Sequence, residues 1–82
     1  MISFKLKIIL LDGQEIDKEI FYLICKTKLG ELTILANHQP IIAIVEPGEI
    51  IINTGKDKEK IFIKQQAVLE FINNQAKLLT LL

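Results

Sequence analysis

The chain has 82 residues, ten lysines against ten acidic side chains, no arginine, and a formal charge of zero. One domain is the most this length supports, burying roughly 60–65% of the surface its unfolded form exposes. The missing basic excess and the missing arginine argue against a nucleic-acid partner, since guanidinium groups carry most bidentate contacts to phosphate and guanine. The apolar half of the composition is dominated by sixteen isoleucines against twelve leucines, and branched side chains fit a pleated, half-buried surface better than a helix.

Turn signals at Asp12-Gly13, Leu29-Gly30, residues 37–40, Pro47-Gly48, Thr54-Gly55 and Asn73-Asn74 cut the chain into strand-length pieces. Glycine and asparagine tolerate left-handed backbone in tight hairpins, and proline presets the first turn position. In the first piece Phe4, Leu6, Ile8 and Leu10 share a face opposite Lys5 and Lys7. The apolar run at Ile8 ends after four residues, too short for a secretory leader. No stretch approaches the ~20 apolar residues of a spanning helix, so the expectation is a protein that is soluble or sits peripherally on something larger.

Phe21, Leu23 and Cys25 then alternate with Tyr22, Ile24 and Lys26. Pro40 holds Gln39 extended and sends the chain straight into residues 41–45. Alternation cannot bury all of Ile50, Ile51 and Ile52 in a two-layer sandwich with one wet face, so one of them is expected outside. The same holds for Leu78-Leu79 and Leu81-Leu82. Ile61 and Ile63 flank Phe62. Residues 64–75 carry a rough helical stripe (Val68, Leu69, Phe71, Ile72) but no N-cap, and two strands are the preferred reading there. Many short strands with regular turns point to an all-β sandwich or partly open barrel. So much aliphatic surface on so small a domain also implies an exposed patch that a permanent partner covers.

Chemistry-bearing residues are sparse. His38 is the only histidine and Cys25 the only cysteine. A lone cysteine cannot form an internal disulfide, which fits a reducing compartment. Zinc would need three or four ligands, and no Cys or acid stands at ligand spacing from His38. A Cys25–His38 dyad is conceivable, but alternation puts Cys25 beside Leu23 and Phe21 on an apolar face, where a thiol is a packing group. The four glycines are scattered among turns and form no phosphate loop. The carboxylate pairs Glu15/Asp17 and Asp57/Glu59 read as solvated strand edges. No active site emerges.

The segment GELTILANHQP at residues 30–40 is more informative, together with PGE at 47–49, GKDKEK at 55–60, LEF at 69–71 and the Asn73-Asn74 turn. In this order and spacing they resemble the N-terminal domain of ATP synthase epsilon subunits (delta in mitochondrial naming), whose pattern runs "G-E-L-G-V-L-P-x-H-A-P", "P-G", a charged hairpin, then "G-G-x-L-E-V". The opening strand, Asp12-Gly13 and the strand reaching Tyr22 fit as well, so the resemblance covers residues 1–82 as one domain. Thr33 replaces a usual glycine, Ala36 a usual proline, and Gln66-Ala67 the Gly-Gly pair. Family members continue into a helical hairpin that carries their regulatory functions; this chain stops at Leu82, as a truncated or a naturally short form, and those functions are not carried over.

The resemblance implies a flattened β-sandwich of about ten short strands, acting as a non-catalytic central-stalk subunit. It would bind the gamma subunit and the c-ring and couple proton flow to ATP synthesis, with no cofactor, metal, nucleic acid or small-molecule substrate. It implies a c-ring contact at Lys26, Lys28, Glu31 and Leu32, in the loop 26–32, and a gamma contact at His38, Pro40, Ile41 and Ile42. It also implies peripheral attachment, through the complex, to the cytoplasmic face of a bacterial inner membrane. Other readings are a generic interaction sandwich, a small free-standing enzyme, and a biotinyl or lipoyl carrier domain. The carrier needs a lysine at a hairpin tip; Lys58 is on a plausible hairpin but lies well past mid-chain.

Overall fold

A computed structural model describes residues 2–81 and shows two packed sheets with no helix among them. Nine strands follow one another: β1 (Phe4–Leu10), β2 (Glu15–Ile20), β3 (Tyr22–Thr27), β4 (Gly30–Leu35), β5 (Ile41–Val45), β6 (Gly48–Asn53), β7 (Lys58–Ile63), β8 (Ala67–Ile72) and β9 (Gln75–Thr80). One sheet has the order β2-β1-β9-β8-β5 and the other β4-β3-β6-β7. All neighbours are antiparallel except β1 and β9, which run parallel. The expected all-β sandwich is therefore present, with nine strands where about ten were anticipated.

Local chemistry explains the turns. Gly13 adopts φ +97°, the Gln14 amide donates to Asp12 Oδ1 at 2.9 Å, and β1 folds back into β2 through this Asx-type turn. Asn73 and Asn74 take φ +51° and +57°, the left-handed pair that a two-residue hairpin of matching twist requires. They separate β8 from β9, so residues 64–75 hold one complete strand instead of two. A turn at 64–66 takes up the rest. The helical stripe is decided by tertiary packing: Ala67, Leu69 and Phe71 are buried at strand period while Val68 and Ile72 face out.

The core lies between the sheets. Phe4, Leu6 and Ile8 from β1, Leu69 and Phe71 from β8 and Leu78 from β9 meet Leu23 and Cys25 from β3, Ile34 from β4, and Ile50 and Ile52 from β6. Phe4 and Phe71 touch edge to face, with centroids 5.4 Å apart. Of the isoleucine triplet, Ile51 is the outward one. Leu79 and Leu81 are exposed as anticipated for one member of each pair, and Leu82 lies outside the described residues.

The chain crosses between sheets at residue 21, at 36–40, at 46–47 and at 64–66. The crossing at 36–40 is pinned where the left-handed Asn37 donates its amide to Asn74 Oδ1 at 2.7 Å. The next is pinned where the Glu46 amide donates to the Lys26 carbonyl at 2.8 Å. These two crossings set β5, the edge of its sheet, beside the end of β3 and across a groove from the β3–β4 hairpin.

Candidate functional site

The β3–β4 hairpin is tighter than a loop over 26–32. Lys26 and Thr27 end β3, Gly30, Glu31 and Leu32 begin β4, and only Lys28 and Leu29 form the tip. The Thr27 hydroxyl accepts from the Leu29 amide at 3.1 Å and donates to the Gly30 carbonyl at 3.0 Å. That clamp holds the tip up and leaves Leu29 fully exposed, at 101%. Lys26 and Glu31 face each other across the ladder on the outer face of the four-stranded sheet. Leu32, opposite Cys25, leans inward against the core.

Three ion pairs lie elsewhere on the surface: Lys7 with Glu15 at 3.4 Å, Lys18 with Glu59 at 3.0 Å and Lys60 with Glu49 at 3.7 Å. Among the described residues, Lys26, Lys28 and Glu31 enter no ion pair. Most other charged side chains share that state, so the lack of an ion pair does not by itself mark a site.

The second set of residues begins at the far end of β4. The His38 amide donates to the Leu35 carbonyl at 3.1 Å, and the ring Nδ1 meets the Gln39 carbonyl at 2.7 Å. The ring stands edge-on to Phe71, with centroids 6.0 Å apart. His38 is thus half-buried and braces the crossing against the core. Pro40 is exposed, Ile41 packs on the core, and Ile42 projects outward at 71% exposure.

The two sets meet. A groove of about 470 Å³ runs along the side of the sandwich, lined by residues 27–32 on one wall and 41–44 on the other. Lys28, Glu31 and Leu32 contribute to the first wall, Ile41 and Ile42 to the second. Lys26 stands beside its tip end. His38 and Pro40 lie at the opposite end of β4, about 15–20 Å from the tip at the usual strand rise. Sequence reasoning did not single out Leu29 or Ile44, the latter 48% exposed. Their exposure follows from where the hairpin tip and the edge strand lie in the assembled sheets.

Cys25, His38 and Lys58 are the side chains whose chemistry the sequence leaves open. Burial pushes the Cys25 thiol up to about 11, far from the thiolate a nucleophile needs. Cys25 sits opposite Leu32 while His38 follows Leu35, so the two are not brought together. Among the described residues no group of three or more His, Cys, Asp or Glu could hold a metal ion. Lys58 opens β7 and is not at the tip of its hairpin, which is formed by residues 54–57, so the carrier-lysine geometry is absent.

Comparison with known proteins agrees with the fold and the segment order. Residues 3–81 match the family described as ATP synthase, Delta/Epsilon chain, beta-sandwich domain. The ATP synthase epsilon chain of Levilactobacillus brevis is 38% identical over 65 residues, covering 79% of this chain and 46% of that protein. That of Psychrobacter sp. is 39% identical over 64 residues, covering 78% and 44%. The chain thus spans about half the length of the curated relatives it matches. Among solved structures, a chain of the Euglena gracilis mitochondrial ATP synthase OSCP/F1/c-ring assembly superposes with a TM-score of 0.88 at 17% identity, covering 98% of this chain and 51% of its own. A chain of the Tetrahymena thermophila mitochondrial ATP synthase central stalk and c-ring superposes at 0.74 and 11% identity, covering 93% and 61%. With a family match over nearly every residue, the chain belongs to the ATP synthase delta/epsilon family, whose β-sandwich domain it carries.

Proposed function

We propose that the chain is a non-catalytic coupling subunit in the central stalk of a rotary, proton-translocating ATP synthase, held peripherally on the cytoplasmic face of a bacterial inner membrane. The hairpin tip contacts the c-ring through Lys26, Lys28, Glu31 and Leu32, and the crossing into β5 contacts the gamma subunit through His38, Pro40, Ile41 and Ile42. The observation that carries this is the shared side of the molecule: a charged hairpin tip and exposed aliphatic surface on β5 stand on the two walls of one groove. Family membership supplies the identity of the complex. Charged tip residues suit the polar loops of a ring, where complementarity fixes register and steers encounter.

Affinity purification of the tagged chain from gently solubilised native membranes tests it, with co-purifying subunits identified by mass spectrometry. Gamma and ring subunits are expected together with the catalytic subunits. Recovery of none of them, from membranes shown to hold intact enzyme, overturns the proposal and leaves a generic interaction sandwich. Replacing Glu31 and Lys28 by residues of opposite charge should weaken ring association most at low salt, where screening is least.

A further inference from the structure

We propose that the Thr27 hydroxyl is the positioning group of the β3–β4 hairpin: without touching a partner, it holds Lys28 and Leu29 in the shape that meets the c-ring. The identity of the partner rests on the reading above; the clamp rests on the geometry of the hairpin.

Two hairpins of equal loop length show why a clamp is needed. β8 and β9 are joined by Asn73-Asn74, both with positive φ, and such a left-handed pair has the twist of its flanking strands. β3 and β4 are joined by Lys28-Leu29, with Thr27 paired to Gly30 across the ladder. Among the described residues the non-glycine positions of positive φ are Asn37, Asn73 and Asn74, so Lys28 and Leu29 are not of that hand. Two tip residues of ordinary φ tend to splay the strands they join. The left-handed value falls instead on Gly30, at φ +120°, one residue past the tip. The tip lacks the matched twist that fixes its counterpart.

Packing does not hold the tip either. Lys28, Leu29 and Gly30 are all exposed, Leu29 completely. The tie to the next crossing lies below the tip, where the Glu46 amide donates to the Lys26 carbonyl at 2.8 Å. Among the described residues, Thr27 has the one side chain hydrogen-bonded to residues 28–30. Its hydroxyl accepts from the Leu29 amide and donates to the Gly30 carbonyl, so a single oxygen spans the turn. A replacement must accept and donate at once from the same short side chain, and serine is the other residue that can. Ordering a loop on binding costs affinity, and a tip fixed beforehand avoids that cost. Lys28 stands in the tip and Glu31 directly follows Gly30, so both proposed ring contacts are placed by this clamp.

The test compares Thr27→Val, which keeps the shape and loses the hydroxyl, with Thr27→Ser, which keeps the hydroxyl. Each is measured for affinity to purified c-ring in detergent, affinity to purified gamma subunit, melting temperature, and amide hydrogen exchange at Leu29. Thr27→Val should speed Leu29 exchange and weaken ring binding, each by about threefold or more. Its gamma affinity and melting temperature should stay close to the parent's, and Thr27→Ser should match the parent throughout. A role in stability alone would lower the melting temperature and both affinities together. That result overturns the proposal, as does parent-like ring binding by Thr27→Val, or a loss in Thr27→Ser equal to that in Thr27→Val. In each of these cases the coupling function stands. If the parent chain itself does not bind the ring, the ring contact and the positioning role both fall.

Discussion

The two long sides of the sandwich are finished differently. Where β2 meets β7, both edges are rich in charge, and Lys18 reaches Glu59 across the gap at 3.0 Å. Where the β3–β4 hairpin faces β5, the edges are aliphatic, a groove stays open, and Ile42, Ile44 and Leu29 stand in solvent. Both sides enclose the same core, so stability does not dictate the difference. A domain that only had to fold would protect all four edges. One protected side and one bare side is what a permanent partner on the bare side would produce.

The largest expected effect probes what the two sides share. Phe71 contacts Phe4 and His38 beneath the open side. Phe71→Ala should cost about 3–5 kcal/mol in urea denaturation. Total stability for this size is roughly 4–12 kcal/mol, so the variant should lose from about a quarter of it to all of it. A loss below about 1 kcal/mol would mean that the core does not bridge to the open side as described.

Two hairpin glycines compare the sides directly. Gly55 lies in the β6–β7 hairpin with φ +90°, and a Cβ there would meet the Phe21 ring at 2.6 Å. Gly30, on the open side, has φ +120° and nothing within 4 Å of its added Cβ. Gly55→Ala should therefore cost about 3 kcal/mol and Gly30→Ala about 1 kcal/mol, since the second carries backbone strain without a clash. Equal losses would show that the packing of Phe21 adds nothing.

Cys25, buried opposite Leu32, gives a pH prediction. Its thiol is raised from 9.0 to about 11 by burial, so the folded state resists ionisation that the unfolded chain accepts. Below pH 9 both states hold the proton and the group contributes no pH dependence. Between pH 9 and 11 the unfolded state alone loses it, and stability should fall as pH rises. Cys25→Ala should remove that part of the slope in alkaline denaturation profiles; an unchanged slope would mean that the thiol reaches solvent.

The smallest effect belongs to the pair that closes the protected side. Both partners of Lys18–Glu59 are partly exposed, so Lys18→Ala should cost about 1 kcal/mol or less, and less still at high salt. A larger loss would make the ion pair a structural clasp.

Much of the architecture was legible in the sequence because strand alternation is local. Phe4, Leu6 and Ile8 announce their face, and one of Ile50, Ile51 and Ile52 was expected outside, the structure showing it to be Ile51. Asn73-Asn74 marks a hairpin from its composition alone. The helical stripe of residues 64–75 misled because period 3.6 and period 2 share several positions over so short a run, and only packing against β5 and β9 decides between them. Neither the β1–β9 parallel pair nor the groove between the β3–β4 hairpin and β5 could be read, since both depend on where the crossings lead. The candidate residues were found through the resemblance; that Lys28, Glu31, Leu32, Ile41 and Ile42 line one groove, while Lys26, His38 and Pro40 do not, came from the fold. Ile44 and Leu29 escaped notice because solvent exposure on an edge strand or a hairpin tip is a property of the assembled sheets.

One titration tests the open side most directly: the affinity of purified gamma subunit for the parent chain, for Ile44→Lys, and for Phe62→Lys, a substitution of another exposed apolar residue at 65% exposure on β7. If β4 and β5 form the partner side, Ile44→Lys should lose about tenfold or more in affinity while Phe62→Lys binds like the parent. Loss at Phe62 with full binding at Ile44 would contradict it and move the interface to the guarded side.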